Sequence, residues 1–279
     1  MERLPVNGGE LEFETKGTGE PLVLIHGSIT GEAFDCLLDQ PALTDRYQVT
    51  HYHRRGFLGS THHTGPFSIA KQAQDALAVV QRVAGGRAHV AGHSYGGVTA
   101  LQLALGAPDA VHSLALLEPP LAVASAESFF ARMGPSGQAY ESGDGPGAVR
   151  EFLNVVLGEN YDVAVGANLP DGWFDRAVAD IDTLFQVELP ALNEWHFTED
   201  LARRISQPVL SVVGANSDPF FVEGHALLQA WLPQAEAFVL SGATHGLQYM
   251  NPTGMPKPSR HSWRATRCPL LSNRILKRR

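Results

Sequence analysis

Ser94 stands at the centre of Gly92-His93-Ser94-Tyr95-Gly96, a G-x-S-x-G arrangement. A serine hydroxyl is a weak nucleophile until a base takes its proton. Its natural chemistry is attack on a carbonyl carbon, assisted by a histidine within hydrogen-bond reach and a carboxylate that orients that histidine. Of the twelve histidines, His245 in Gly242-Ala-Thr-His-Gly246 follows the last strand-like run and is the expected base. Asp218, in Gly214-Ala-Asn-Ser-Asp218 after the preceding strand-like run, is the expected carboxylate. Glu118, in Leu116-Leu-Glu-Pro-Pro120, also closes a strand-like run and is the alternative acid.

Such groups work only if rigid elements bring them to one edge. The five-residue pattern alone is weak, and its setting between a buried strand and a helix gives it weight. Short apolar runs at Pro21–Ile25, Arg87–Ala91, Val111–Leu117 and Pro208–Gly214 predict strands buried on both faces. Further strands are expected at Leu11–Thr15, Tyr47–Tyr52 and Ala237–Leu240. Helical spacing predicts helices over Ile69–Val83, Val98–Leu105 and Glu223–Trp231. Strands alternating with helices in this way imply an α/β fold with a mostly parallel central sheet flanked by helices. The buried-strand pattern lapses from Leu121 to Thr198, where Ala148–Leu157 and Trp173–Phe185 read as helices and Gly134–Gly147 as a Gly- and Ser-rich loop. That stretch is expected to be an inserted, mainly helical cap. The expected division is 1–120 and 199–255 for the core, 121–198 for the cap and 256–279 for an atypical basic tail. Trp173, Phe174, Trp195 and Phe220 are candidates to line a substrate pocket.

The net charge of −8 over 279 residues hides an asymmetry, because all 29 acidic residues precede Pro256 while 8 of the 21 Lys and Arg follow it. The body carries −16 and the tail +8. So acidic a body gives no general field for nucleic acid, and a nucleic-acid or membrane-surface role would have to reside in the tail. Neither partner is expected; a small-molecule substrate is. Cys36 and Cys268 fit no metal-ligand spacing and are read as free thiols. His51, His53, His62 and His63 lack the carboxylate spacing of a metal site, so no metal is expected. Met1–Glu20 holds five Glu and no apolar stretch of the signal-peptide kind, which makes a cytoplasmic location the expectation.

Taken together, His26-Gly27, Arg55-Gly56 with Gly59-Ser60, the Gly-His-Ser-Tyr-Gly-Gly elbow, Leu116-Leu-Glu-Pro-Pro120 and Thr244-His-Gly246 resemble the α/β-hydrolase fold family over about residues 5–255. The resemblance implies an oxyanion hole made by the backbone N–H groups of Tyr95 and Ser28. It implies a serine hydrolase that cleaves an ester or related carbonyl through an acyl-enzyme, without cofactor. Serine at the elbow separates the chain from relatives that use aspartate there, the haloalkane dehalogenases and epoxide hydrolases. Carbon–carbon bond hydrolases, lactonases, cofactor-free perhydrolases and a non-turnover ligand receptor remain as alternatives. The resembled family usually ends in an amphipathic helix. Here three prolines and a loss of acids after Met255 suggest instead a shifted reading frame or an artefact of assembly.

Overall fold

The computed structural model describes residues 1–63, 65–159, 161–166, 168–258 and 263–264. Eight strands form one sheet: β1 (Glu2–Val6), β2 (Gly9–Lys16), β3 (Glu20–Ile25), β4 (Tyr47–Tyr52), β5 (Ala88–His93), β6 (Val111–Leu117), β7 (Val209–Gly214) and β8 (Ala235–Leu240). Their order is β1-β2-β4-β3-β5-β6-β7-β8. The β1–β2 and β2–β4 pairs are antiparallel, and every other pairing is parallel.

The apolar runs explain this core. Successive strand side chains point to opposite faces, so Leu22 and Leu24 pack with Ala115, Leu117 and Val212, whereas Val23 and Ile25 pack with Val90, Leu114 and Leu116. Both faces are buried, and each fully buried Leu, Ile or Val contributes about 1.5–3 kcal/mol. The second face is covered by α1 (Ile69–Arg82) and α2 (Tyr95–Gly106). Ser68 caps α1 by accepting from the Lys71 N–H, and Ile69, Ala73, Ala76, Val79 and Val80 recur at helical spacing on its buried side.

Arg55 joins the edge hairpin to α1. Its guanidinium donates to both Asp75 oxygens, at 2.5 and 3.1 Å, and to the carbonyls of Asn7 and Gly8. Arg55 is only 2 % exposed. Arg55→Met leaves the Asp75 charge buried and unpaired, so equilibrium unfolding in urea should show a loss of about 3–5 kcal/mol. Burial pushes the Cys36 thiol up to about 12, and its Sγ donates to the Gln248 carbonyl. Cys36 is therefore expected to resist iodoacetamide at pH 8 in the folded state, as mass spectrometry can check. Cys268 lies outside the described residues.

Between β6 and β7 the described residues form helices and no strand. They include α3 (Gly145–Leu157), α4 (Trp173–Ala179) and a π-helical stretch over Thr183–Glu188. The expected 134–147 loop is in fact a helix over Gly134–Glu141 followed by the capped start of α3, where Asp144 accepts from the Gly147 N–H. The single helix expected over Trp173–Phe185 is broken between Ala179 and Thr183, where the Asp180 carboxylate accepts from the Leu58 N–H. The helix after β7, α5 (Pro219–Trp231), begins four residues before the expected Glu223 because Asp218 caps it. Lys257–Pro258 pairs antiparallel with Trp263–Arg264; the remainder of the basic tail, on which the frame-shift expectation bears, lies outside the described residues. Among the described residues no helix is long and apolar enough to cross a membrane.

Candidate active site

The turn from β5 to α2 holds Ser94 at φ 52° and ψ −121°, a conformation that L residues rarely adopt. It persists because its surroundings leave no alternative. The Ser94 N–H donates to Leu117 O at 2.8 Å, and its carbonyl accepts from the N–H groups of Gly97 and Val98. The flanking glycines are needed for close approach. A Cβ on Gly92 would overlap the Gly96 carbonyl, and one on Gly96 the Ile25 carbonyl. The hydroxyl thus stands at the carboxyl edge of the sheet, at the N-terminus of α2.

His245 follows β8 and is 4 % exposed. Its Nδ1–H donates to Glu118 Oε2 at 2.6 Å. The other carboxylate oxygen, Oε1, accepts from the Gly214 N–H at 2.7 Å and from the Ser217 hydroxyl. Both donors to Oε1 therefore come from the end of β7 and the loop that follows it, and the carboxylate fixes the proton of His245 on Nδ1. Nε2 is left as the basic nitrogen. Phe221 stacks on the imidazole, with centroids 3.8 Å apart and planes 12° from parallel. His93 supports the same loop from below. Burial holds its ring well below the usual histidine range, and the neutral ring donates from Nε2 to the His245 carbonyl at 2.8 Å and accepts at Nδ1 from the Gln248 amide.

The expectation for Asp218 is corrected here. Its Oδ1 accepts from the Phe220 N–H at 3.0 Å, capping α5, and its Oδ2 from Arg132 Nη2 at 2.6 Å. An aspartate directly before a proline at a helix start is an N-cap, and this one is turned toward the helix and Arg132. Glu118, the alternative acid, is the carboxylate on His245. Its φ of 49°, ahead of Pro119 and Pro120, ends β6 and turns the side chain back across the strand ends.

Ser28, Ser94, Tyr95 and His245 line one pocket. Its other walls are mainly apolar, with Phe129, Phe130, Phe152, Phe185, Phe220 and Phe221 prominent among them. Of the four substrate-lining candidates, Phe220 alone belongs to this wall; it stacks on Phe129 at 4.3 Å. Trp195 instead lies flat on Phe197 and donates to Gln102, while Trp173 and Phe174 pack edge to face on each other. Ser94 and His245 face this pocket without a direct hydrogen bond between them, and neither the Ser28 nor the Tyr95 N–H donates to a backbone carbonyl among the described residues. Sequence reasoning paired Phe221 with Phe220 as possible pocket lining and missed Phe129 and Phe130. The adjacent pair Phe129-Phe130 was the available signal.

Among the described residues no cluster of three or more His, Cys, Asp or Glu is arranged to hold a metal ion. His51 and His53 are engaged by Asp35 and Glu12 respectively.

A protein of Azorhizobium caulinodans whose name assigns it to the RutD carbamate hydrolases is 37% identical over 113 residues, 40% of this chain and 42% of that protein. The chain thus matches about two-fifths of the length of such relatives. Among solved structures, an alpha/beta hydrolase from Sphaerobacter thermophilus superposes with a TM-score of 0.71 at 23% identity, covering 90% of this chain and 98% of that one. A thermophilic esterase from Thermogutta terrifontis gives 0.72 at 21% identity over 91% and 94%. Both establish likeness of fold. The family model described as "Alpha/beta hydrolase family" matches residues 22–255, which spans Ser94, Glu118 and His245. The chain is therefore a member of the alpha/beta hydrolase family.

Proposed function

We propose that the protein is a serine hydrolase that cleaves a small ester or related carbonyl compound with an apolar substituent, and that the helical segment 121–198 acts as its cap. The observation that carries this reading is that His245, oriented by Glu118, lines the same apolar pocket as a strained, elbow-held Ser94. His245 Nε2 takes the Ser94 proton as Oγ bonds to the carbonyl carbon. The resulting oxyanion is met by the N–H groups of Ser28 and Tyr95. Collapse of the tetrahedral species breaks the bond to the leaving group, which receives the proton from His245. Water, deprotonated by the same imidazole, then attacks the acyl-enzyme, and Ser94 leaves with the proton restored. Glu118 keeps the base in the Nδ1–H tautomer and offsets the imidazolium charge. Carbamates form a second substrate class on account of the named relatives.

The test is active-site titration. An alkyl fluorophosphonate should label Ser94 alone, one per chain, and a p-nitrophenyl ester with a medium apolar acyl chain should turn over many times per labelled site. Label elsewhere, or a single slow event per chain, overturns the reading in favour of another chemistry or of a receptor. A panel of esters, lactones, carbamates and β-diketones identifies the substrate class.

A further inference from the structure

Arg54 is fully buried, and among the described residues the only carboxylate paired with it belongs to the helical segment: its Nη2 donates to Glu188 Oε1 at 2.5 Å. The pair is incompletely satisfied. Arg54 Nη1 and Glu188 Oε2 are both buried without partners. A buried ion pair with orphaned atoms is a poor source of stability, and two apolar residues would fill the same space at less cost. What an apolar pair could not do is hold a carbonyl. Arg54 Nε donates to His26 O at 2.9 Å, and Nη2 donates to Gly27 O at 2.8 Å.

Gly27 O and the Ser28 N–H belong to one peptide unit. Because that unit is planar and trans, its oxygen and its N–H point in opposite directions. Pulling Gly27 O toward Arg54 therefore aims the Ser28 N–H the other way, and Ser28 lines the pocket beside Ser94. Hydrogen bonds accepted by the oxygen also polarise the amide and make its N–H a better donor. His26 adds to the same hold. Its Nε2 accepts from the Arg54 N–H at 2.9 Å, so the proton lies on Nδ1 and is donated to Gly27 O at 2.7 Å. Burial beside Arg54 keeps that imidazole neutral. The stretch that carries Glu188 is itself tied to the Arg54 loop at two further points: Asp180 accepts from the Leu58 N–H, and the Thr183 hydroxyl donates to the Gly56 carbonyl.

We propose that Glu188 is a positioning residue for the oxyanion hole: through Arg54 it holds the Gly27–Ser28 peptide so that the Ser28 N–H meets the developing oxyanion. The proposal rests on the reading of Ser28 as an oxyanion donor. Glu188→Gln loses the charge that holds Nη2, and kcat is expected to fall about 10- to 100-fold, short of the 10²–10³ of deleting a donor outright. KM should stay within about twofold, since substrate in its ground state does not load the hole.

The decisive readout is an alkyl trifluoromethyl ketone against its matched alcohol. The ketone carbon is attacked by Ser94 Oγ, the proton passes to His245, and the hemiketal oxygen occupies the hole; the alcohol binds the same pocket without forming that bond. In Glu188→Gln the ketone should weaken in step with kcat/KM while the alcohol binds as before. Arg54→Met/Glu188→Leu, which replaces the ion pair by an apolar one, should keep its Tm and show the same loss. It carries the test should Glu188→Gln fail to fold.

Wild-type kcat and ketone affinity in either folded variant overturn the proposal. So does a parallel loss of ketone and alcohol affinity, which marks a collapsed pocket. Ser94→Ala separates the two levels: activity independent of Ser94 removes the catalytic reading itself, whereas activity that needs Ser94 but ignores Glu188 removes only the positioning role.

Discussion

Ser94→Ala is expected to lower kcat on an apolar p-nitrophenyl ester by about 10⁴- to 10⁶-fold, the range seen when the nucleophile of a cooperating serine–histidine pair is removed. The fold should survive, because no side-chain hydrogen bond of Ser94 holds the turn together; its backbone bonds to Leu117, Gly97 and Val98 do, and alanine retains them. A companion substitution separates strain from chemistry. Alanine inherits the unfavourable φ of 52°, whereas glycine tolerates it. Ser94→Gly should be as inactive as Ser94→Ala and more stable than it by about 1–3 kcal/mol in urea unfolding. Substantial turnover by either variant refutes the nucleophile. Equal stability of the two removes the argument that the turn is strained.

The second large effect concerns the acid. Glu118→Gln should lower kcat by about 10³- to 10⁴-fold, because an amide no longer enforces the Nδ1–H tautomer or offsets the imidazolium. Asp218→Asn should change kcat by less than about threefold. Asparagine still caps α5, and the lost ion pair involves an Arg132 side chain that is 50% exposed, so its stability contribution is at most about 1 kcal/mol. Steady-state kinetics on the two variants decides between the carboxylates, and the reverse ranking would return the role to Asp218.

Much of the architecture was legible because buried parallel strands announce themselves as continuous apolar runs. Seven of the eight strands were placed within a few residues, as was the serine turn between β5 and α2. β1 escaped because four of its five residues are not buried and one of them is Pro5. Ser94 and His245, which the proposed mechanism uses, could be singled out from motif and position. The carboxylate beside His245 could not, since Glu118 and Asp218 each follow a buried strand and β6 and β7 are neighbours in the sheet. Which carboxylate reaches the imidazole depends on the left-handed turn at Glu118 and on the helix that claims Asp218, and neither is a local property of composition. The pocket walls were harder still. Trp173 and Trp195 are large and apolar, but their partners Phe174, Phe197 and Gln102 decide where they lie. The 134–147 region forms helix despite its glycines, with α3 opened by Asp144 as cap and Pro146 in its first turn.

The ties from Asp180, Thr183 and Glu188 to the 54–58 loop bear on how this chain can be re-engineered. Glu118 directly follows β6, upstream of Leu121, so a chimera that imports another protein's helical segment retains Ser94, Glu118 and His245 untouched. What it forfeits is the docking latch. A donor segment chosen for its pocket shape alone would leave Arg54 as a buried cation facing no anion, and the graft would register first as lost stability and a slack Gly27–Ser28 loop rather than as altered selectivity. Donors that bring a carboxylate to the Glu188 position are the compatible ones.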